Sequence, residues 1–216
     1  MAKKKDKRVK PKLSVEHGLM RPADIWSYDG FIAKAKFEGG LLPGTDGERI
    51  VFDDCVFKDM SFANSDWKGV EFVDVVFMAC DFSNAQMENV MMHRCEIINS
   101  KLTGADLANA KLGHLLVKES DVRYANFNFA GMKEVEFTEC NLMDSDFYEC
   151  DFKQVRFEKS KMDNINFSET DLNGVDLSNN TYDRIEVTLP KIAGCIVSKE
   201  QAVGFARVLG LTVNEE

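Results

Sequence analysis

The feature that most constrains this chain is a large apolar side chain at every fifth position from Phe52 to Val197. Thirty consecutive positions keep the phase, from Phe52, Phe57, Phe62, Trp67 and Phe72 to Tyr182, Val187, Ile192 and Val197, with no residue gained or lost. Twelve of the sixteen phenylalanines lie on this lattice. A period of five fits neither a helix, at about 3.6 residues per turn, nor a strand, at about 2. So regular a repeat calls for a solenoid, in which each unit buries its apolar side against the next.

The residue two before each large one is usually small or compact, as at Cys55, Ser65, Val70, Cys80, Ala85, Ala105, Ala125 and Ala130. Large and small inward residues therefore alternate around a narrow core. The three positions between them carry the Asp, Asn, Glu, Lys, Ser and Gly of a solvated exterior. Units such as Ala105-Asp106-Leu107, Ala125-Asn126-Phe127, Ser145-Asp146-Phe147 and Cys150-Asp151-Phe152 resemble the A(D/N)LXX unit of pentapeptide-repeat proteins. The resemblance implies an all-β fold, a right-handed quadrilateral β-helix with four five-residue faces per coil. A fold of this kind does not name an activity.

Four segments follow. Residues 1–12, with seven Lys or Arg and one Asp, are expected to be a disordered basic tail. Residues 13–50 form an N-terminal cap and loop, in which Ile32, Ala35 and Phe37 keep the phase of a partial first coil and 39–47 read as loop. Residues 51–197 are the β-helix. Residues 198–216 hold a short capping helix, with Ser198 and Gln201 as a capping box. Its apolar face is expected at Ala202, Phe205, Ala206 and Leu209, followed by a short strand through Leu211 and Val213. This end is the expected contact of a homodimer. Within the repeat, Leu115 is too large for its inward slot and predicts either a local swelling or a small apolar contact surface.

No run of 18 apolar residues or apolar signal-peptide core occurs, so no membrane span and a cytoplasmic location are expected. The six cysteines all fall in small inward slots and are expected to be buried thiols. His93 and His114 point outward from adjacent coils without a patterned carboxylate, a poor metal site. No Ser/His/Asp arrangement, phosphate-binding glycine loop or paired buried carboxylate stands out, and a filled column leaves no substrate pocket. No cofactor and no enzymatic activity are expected.

The outward charge is more informative. With twenty residues per coil, the faces through Phe52, Phe57 and Phe62 sum to −2, −2 and −1, whereas the face through Trp67 sums to −6. That face holds Asp66, Glu88, Asp106, Asp146, Glu149, Glu169 and Glu186 against Lys68 alone. The chain carries −9 in all and its basic tail +6, leaving −15 on the body, which argues against direct DNA binding by the body. An unbroken repeat ending in Cys195-Ile196-Val197-Ser198-Lys199-Glu200-Gln201-Ala202 is similar to the quinolone-resistance (Qnr) and topoisomerase-protecting branch of the family. That resemblance implies a dimeric DNA mimic that binds a type II topoisomerase, DNA gyrase or topoisomerase IV, with surface acids as its contacts. The chain departs from some members in having no insertion for projecting loops and in its basic tail. Acidity that merely keeps a solenoid soluble, or an interaction scaffold with a partner unrelated to DNA, accounts for the same charges.

Overall fold

The lattice works because a corner follows each of its side chains. Two positions after each one, from Asp54 to Gly174, the backbone enters the left-handed region, with φ of 54° at Asp54, 53° at Asp59, 55° at Asn64 and 68° at Gly69. Asn, Asp and Gly tolerate that region best, which accounts for their frequency outside the core. Four corners return the chain onto itself after twenty residues, so that Phe52 pairs with Phe72, Phe72 with Met92 and Met92 with Leu112 in parallel register. The computed structural model describes residues 8–27, 29–45, 49–208 and 210–214 as a parallel β-solenoid with one α-helix, α1 (Lys199–Val208). From Phe37 to Val197 the chain climbs in eight twenty-residue steps. At about 4.8 Å per step the column is roughly 38 Å tall.

The four faces are of two kinds. On the Phe52 and Phe57 faces the chain runs as short parallel strands, the longest being β4 (Val51–Ser61) and β5 (Glu71–Met78). On the Phe62 and Trp67 faces most corners tighten into hydrogen-bonded turns, the carbonyl of Phe82 accepting from Ala85 N–H at 3.0 Å and that of Met87 from Val90 N–H at 3.1 Å. With positive φ at their third residue, Asn84 and Asn89, these are type II turns.

Inside, 25 of the 30 lattice side chains are buried, and the other five, Phe152, Tyr182, Val187, Ile192 and Val197, pack partly buried against them. Rings twenty residues apart stack, Phe37 on Phe57 at 4.8 Å, Phe62 on Phe82 at 4.5 Å and Phe127 on Phe147 at 4.6 Å. The buried serines of the small slots are satisfied: Ser100 Oγ accepts from Cys80 N–H and Ser120 Oγ from Ser100 N–H, both at 3.0 Å. Leu115 is buried without swelling, its neighbour Leu116 keeping register with Glu96 and Glu136. That column already holds Val75 and Val135, so it is roomier than the slots occupied by Ala or Ser.

At the N-terminal end, β1 (Gly18–Leu19) pairs with β3 (Ala35–Leu41), and both β2 (Phe31–Ala33) and β3 pair with β4. The partial first coil is present, with Ile32, Ala35 and Phe37 buried. The expected loop is shorter at its start, because Gly40 and Leu41 continue β3 against Met60 and Ser61; residues 46–48 lie outside the described residues. A 3-10 turn, Pro22–Ser27, sets Ile25 into the core.

The tail expectation also changes. Residues 1–7 lie outside the described residues, but 8–12 run along the column, held by Arg8 on Glu96, Val9 N–H on His114 and Lys12 N–H on Asp74. At the other end α1 starts with the capping box: Ser198 Oγ accepts from Gln201 N–H at 3.2 Å, and Gln201 Oε1 accepts from Ser198 N–H at 2.8 Å. Its inner face is rotated from the expected one. Ala202 and Gly204 are exposed, while Gln201 and Phe205 are half-buried toward the last coil, and Gln201 Nε2 donates to the carbonyls of Leu177 (3.1 Å) and Asn180 (2.9 Å). Ala206 is half-buried and Leu209 lies outside the described residues. Leu211 and Val213 are not in a strand, and Leu211 is largely exposed.

Candidate functional site

The acidic face is built by the corner geometry. Position 66 and its equivalents every twenty residues stack by parallel bridges, giving one column of Asp66, Gln86, Asp106, Asn126, Asp146, Asn166 and Glu186. Acids therefore alternate with amides, which keeps like charges two coils, roughly 10 Å, apart. The amides also fix the acids: Asn126 Nδ2 donates to Asp106 Oδ1 and Asn166 Nδ2 to Asp146 Oδ1, both at 2.9 Å. Asp146 also accepts from Asn128 Nδ2 at 3.0 Å and from Tyr148 N–H at 3.2 Å. Asp106 accepts from Ala108 N–H at 3.0 Å. These carboxylates are held in place and only half-buried.

Glu149 and Glu169 occupy the corner beside this column and are exposed. Glu169 Oε1 accepts from Thr188 Oγ1 at 2.9 Å. Glu88 is paired with Lys68 at 3.1 Å, so its charge is locally matched. All seven expected acids thus share one face, and only Glu88 is ion-paired with the lysine among the described residues.

A second polar constellation, not expected from the sequence, runs along the corner between the Phe52 and Phe57 faces. That corner does not border the Trp67 face. Asp54 accepts from Ser14 N–H at 2.8 Å and from Ser14 Oγ, and lies 3.0 Å from His17 Nε2. One coil on, Asp74 accepts from Lys12 N–H at 2.8 Å and from Arg94, through Nε at 2.6 Å. Arg8 is buried and meets Glu96 at 3.1 Å. Burial alone lifts the pKa of Asp54, but the Ser14 bonds and His17 outweigh it and hold the group below the usual carboxylate range. For Asp74, burial is outweighed by Arg94 and Lys12 in the same direction. The N-terminal segment is therefore a strap that neutralises this corner, leaving the Trp67 face as the acidic side.

The histidines are less bare than expected. Rings His93 and His114 meet edge to face at 5.3 Å, and His114 Nδ1 lies 2.7 Å from Glu134 Oε2 and 3.2 Å from Val9 N. Burial, then the charges of Arg94 and His114, push the His93 pKa down. Among the described residues no group of three or more His, Cys, Asp or Glu could hold a metal ion. The six cysteines are free, five of them buried and Cys195 half-buried.

Among the described residues, two of the hollows on the outside of the column are bordered by polar side chains. One, of about 360 Å³, is shallow and floored by Gly113 and Gly131 beside His93 and Lys133. The other, of about 310 Å³, lies between the last coil and α1, lined by Tyr182, Arg184, Glu186 and Phe205. No helix among the described residues is long and apolar enough to cross a membrane.

Sequence reasoning also passed over Phe129 and Tyr124. Both are aromatic, exposed and placed at left-handed corners with φ of 62° and 59°. The signal was available, since Phe129 is a phenylalanine off the lattice.

Comparison with known proteins agrees with this geometry. The model of the pentapeptide repeat region matches residues 70–138 and 130–201. The uncharacterized protein YisX of Bacillus subtilis (strain 168) is 43% identical over 190 residues, covering 88% of this chain and 90% of that protein. Among solved structures, QnrB1, a plasmid-mediated fluoroquinolone resistance protein, superposes with a TM-score of 0.57 at 18% identity, covering 92% of this chain and 97% of that one. At that identity the likeness is one of fold. With a twenty-residue coil, a filled square core and the matching repeat model, the chain belongs to the pentapeptide-repeat family.

Proposed function

We propose that the Trp67 face seats a type II topoisomerase, DNA gyrase or topoisomerase IV, in place of duplex DNA, and so shields the enzyme from quinolone-like poisons. The protein performs no chemistry of its own in this role and acts in the cytoplasm. The observation that carries the proposal is the gathering of Asp66, Asp106, Asp146, Glu149, Glu169 and Glu186 on one side of a rigid rod, while the basic strap lies along a corner remote from it. The fold likeness to a fluoroquinolone resistance protein supports it. Acids about 10 Å apart along the column are sparser than duplex phosphates, at one per roughly 1.7 Å, so the rod offers a weaker field than DNA and a rigid shape. Two copies joined at the C-terminal end, where Ile196 and Leu211 are exposed beside the half-buried last coil, double the length of the acidic side.

The test uses residues the column already tolerates. Asn126 and Asn166 occupy the same structural position as Asp106 and Asp146, so Asp106→Asn, Asp146→Asn and Glu149→Gln remove charge without disturbing the turns. Wild-type protein is expected to inhibit gyrase supercoiling or relieve quinolone inhibition, less well as salt rises. At about 1 kcal/mol per charge, the triple variant is expected to lose roughly 100-fold in affinity. Matching changes on the Phe62 face, at Asp81, Asp121 and Asp163, are expected to leave it intact. Equal losses on both faces would refute a directed acidic surface.

A further inference from the structure

The corner column beside the acids reads Gly69, Asn89, Asn109, Phe129, Glu149 and Glu169. Glycine and asparagine suit the left-handed backbone there, and glutamate is at least soluble. Phe129 is neither: its φ is 62° and half of it (50%) is exposed. A bulky residue in this region is a genuine outlier, and exposing an aromatic ring forgoes its burial.

Phe129 does not stand alone. The ring of Tyr148, one coil further along the same face, meets it edge to face at 5.6 Å with planes at 83°. Tyr148 is fixed from below, its N–H donating to Asn128 Oδ1 at 2.9 Å. Asn128 Nδ2 in turn donates to Asp146 Oδ2 at 3.0 Å, and Asp146 Oδ1 accepts from Tyr148 N–H at 3.2 Å, so this carboxylate is tied to the backbone of the ring-bearing Tyr148. Glu149, directly after Tyr148, and Glu169, one coil on, are exposed at the adjoining corner. The arrangement is an edge-to-face aromatic pair on a held backbone, with carboxylates at the adjoining positions.

Each part of that arrangement favours one kind of occupant. The ring faces attract a cation, and arginine stacks on them while its remaining donors reach carboxylates in the same plane. Lysine, a compact and strongly hydrated charge, uses the carboxylates but gains less from the rings. A central aromatic anchor with a polar rim is also how protein interfaces concentrate their energy. We propose that Phe129 and Tyr148, with Asp146 and Glu149, form the anchor of the acidic face and receive an arginine side chain from the basic groove of a protein partner. The inference rests on the proposed function and adds to it: the face is not only a field that imitates phosphates but carries one socket for an arginine.

The experiment has two arms. Phe129→Asn and Tyr148→Ser introduce the residue types of Asn109 and Ser168, which already occupy those columns one coil away, so the fold is retained. With purified gyrase, the double variant is expected to bind about tenfold more weakly, with an unchanged salt slope because no charge is altered. In the second arm, arginine and lysine peptides of equal length and charge are titrated against the full chain by NMR. The arginine peptide is expected to shift the Phe129 and Tyr148 ring signals more than the lysine peptide, and the variant to lose that difference. Wild-type affinity of the double variant for gyrase, or equal response to the two peptides, overturns the inference. Failure of the wild type to bind gyrase at all refutes the topoisomerase proposal instead, while the peptide arm still decides the socket.

Discussion

Replacing Asp54 tests whether the N-terminal strap is held by charge. Asp54 is the anchor of the strap, accepting from Ser14 N–H and Ser14 Oγ and lying 3.0 Å from His17, with its side chain 12% exposed. Glycine is the informative substitution, because the position has φ of 54° and glycine removes the carboxylate with no cost at that corner. Hydrogen bonds to a charged group contribute roughly 1.5–3 kcal/mol each when buried and less where water competes. With two such bonds and one imidazole contact near the surface, the loss in docking free energy is about 3 kcal/mol, a factor of about 150 in the docking equilibrium. The strap is not part of the stacked core, so global unfolding should change little. Amide hydrogen exchange over residues 9–17 is the assay: Asp54→Gly should exchange that segment about two orders of magnitude faster, and Asp54→Asn should fall between it and wild type. Acid should act the same way. The folded pKa values of Asp54 and Asp74 are depressed, so their contribution is complete above the free carboxylate value of about 3.9 and is lost as pH falls through the lower folded values. Unchanged protection of residues 9–17 in Asp54→Gly at neutral pH would refute the reasoning.

Three further outcomes follow from the core and the strap corner. The folded pKa of His93 is depressed, so the unfolded chain binds the proton more readily and stability falls as pH drops through the free imidazole value of about 6.5; chemical denaturation of His93→Gln should show a flatter pH dependence than wild type between pH about 7.5 and 5.5. Burial pushes the thiols of Cys55, Cys80 and Cys140 up to about 11 and those of Cys95 and Cys150 to about 12, so a thiol reagent at mildly alkaline pH should leave these five unmodified in the native protein and react with them in denaturant. Phe137 stacks on Phe157 at 5.3 Å and meets Phe127 and Phe147 edge to face, so Phe137→Ala should cost about 3–5 kcal/mol in a denaturant titration.

The column was legible because its signal is the direction of side chains. A buried position every five residues and a tolerant corner two residues later leave marks in residue type, and the twenty-residue coil places the seven acids on one face without further information. The strap left no such mark. Its contacts are backbone N–H groups of Lys12 and Ser14 with carboxylates 62 and 40 positions away along the corner line, and lysine-rich composition there reads as disorder. Arg8, Lys12 and their neighbours are ordered because Asp54, Asp74 and Glu96 supply a row of acceptors that exists only once the coils are stacked.

The misplaced face of α1 shows the same limit from the other end. Helical spacing marks Ala202, Phe205, Ala206 and Leu209 as the apolar stripe, and a helix meeting an apolar surface turns that stripe inward. The open end of a β-helix is not an apolar surface: the last coil has no successor, so the carbonyl of Asn180 needs a donor, whereas that of Leu177 already accepts from Asn180 N–H at 3.0 Å. Gln201 Nε2 supplies that donor at 2.9 Å and adds a bond to Leu177 at 3.1 Å, and these bonds seat the helix with Gln201 and Phe205 toward the coil and Ala202 outward. A glutamine that serves the capping box through its oxygen and the coil through its nitrogen therefore sets the seating of the cap more strongly than the stripe does. Gln201→Glu, which keeps the oxygen and removes the donor, should release α1 in hydrogen exchange while Ala202→Ser leaves it protected. The reverse order would show that apolar contact, not carbonyl satisfaction, closes the column.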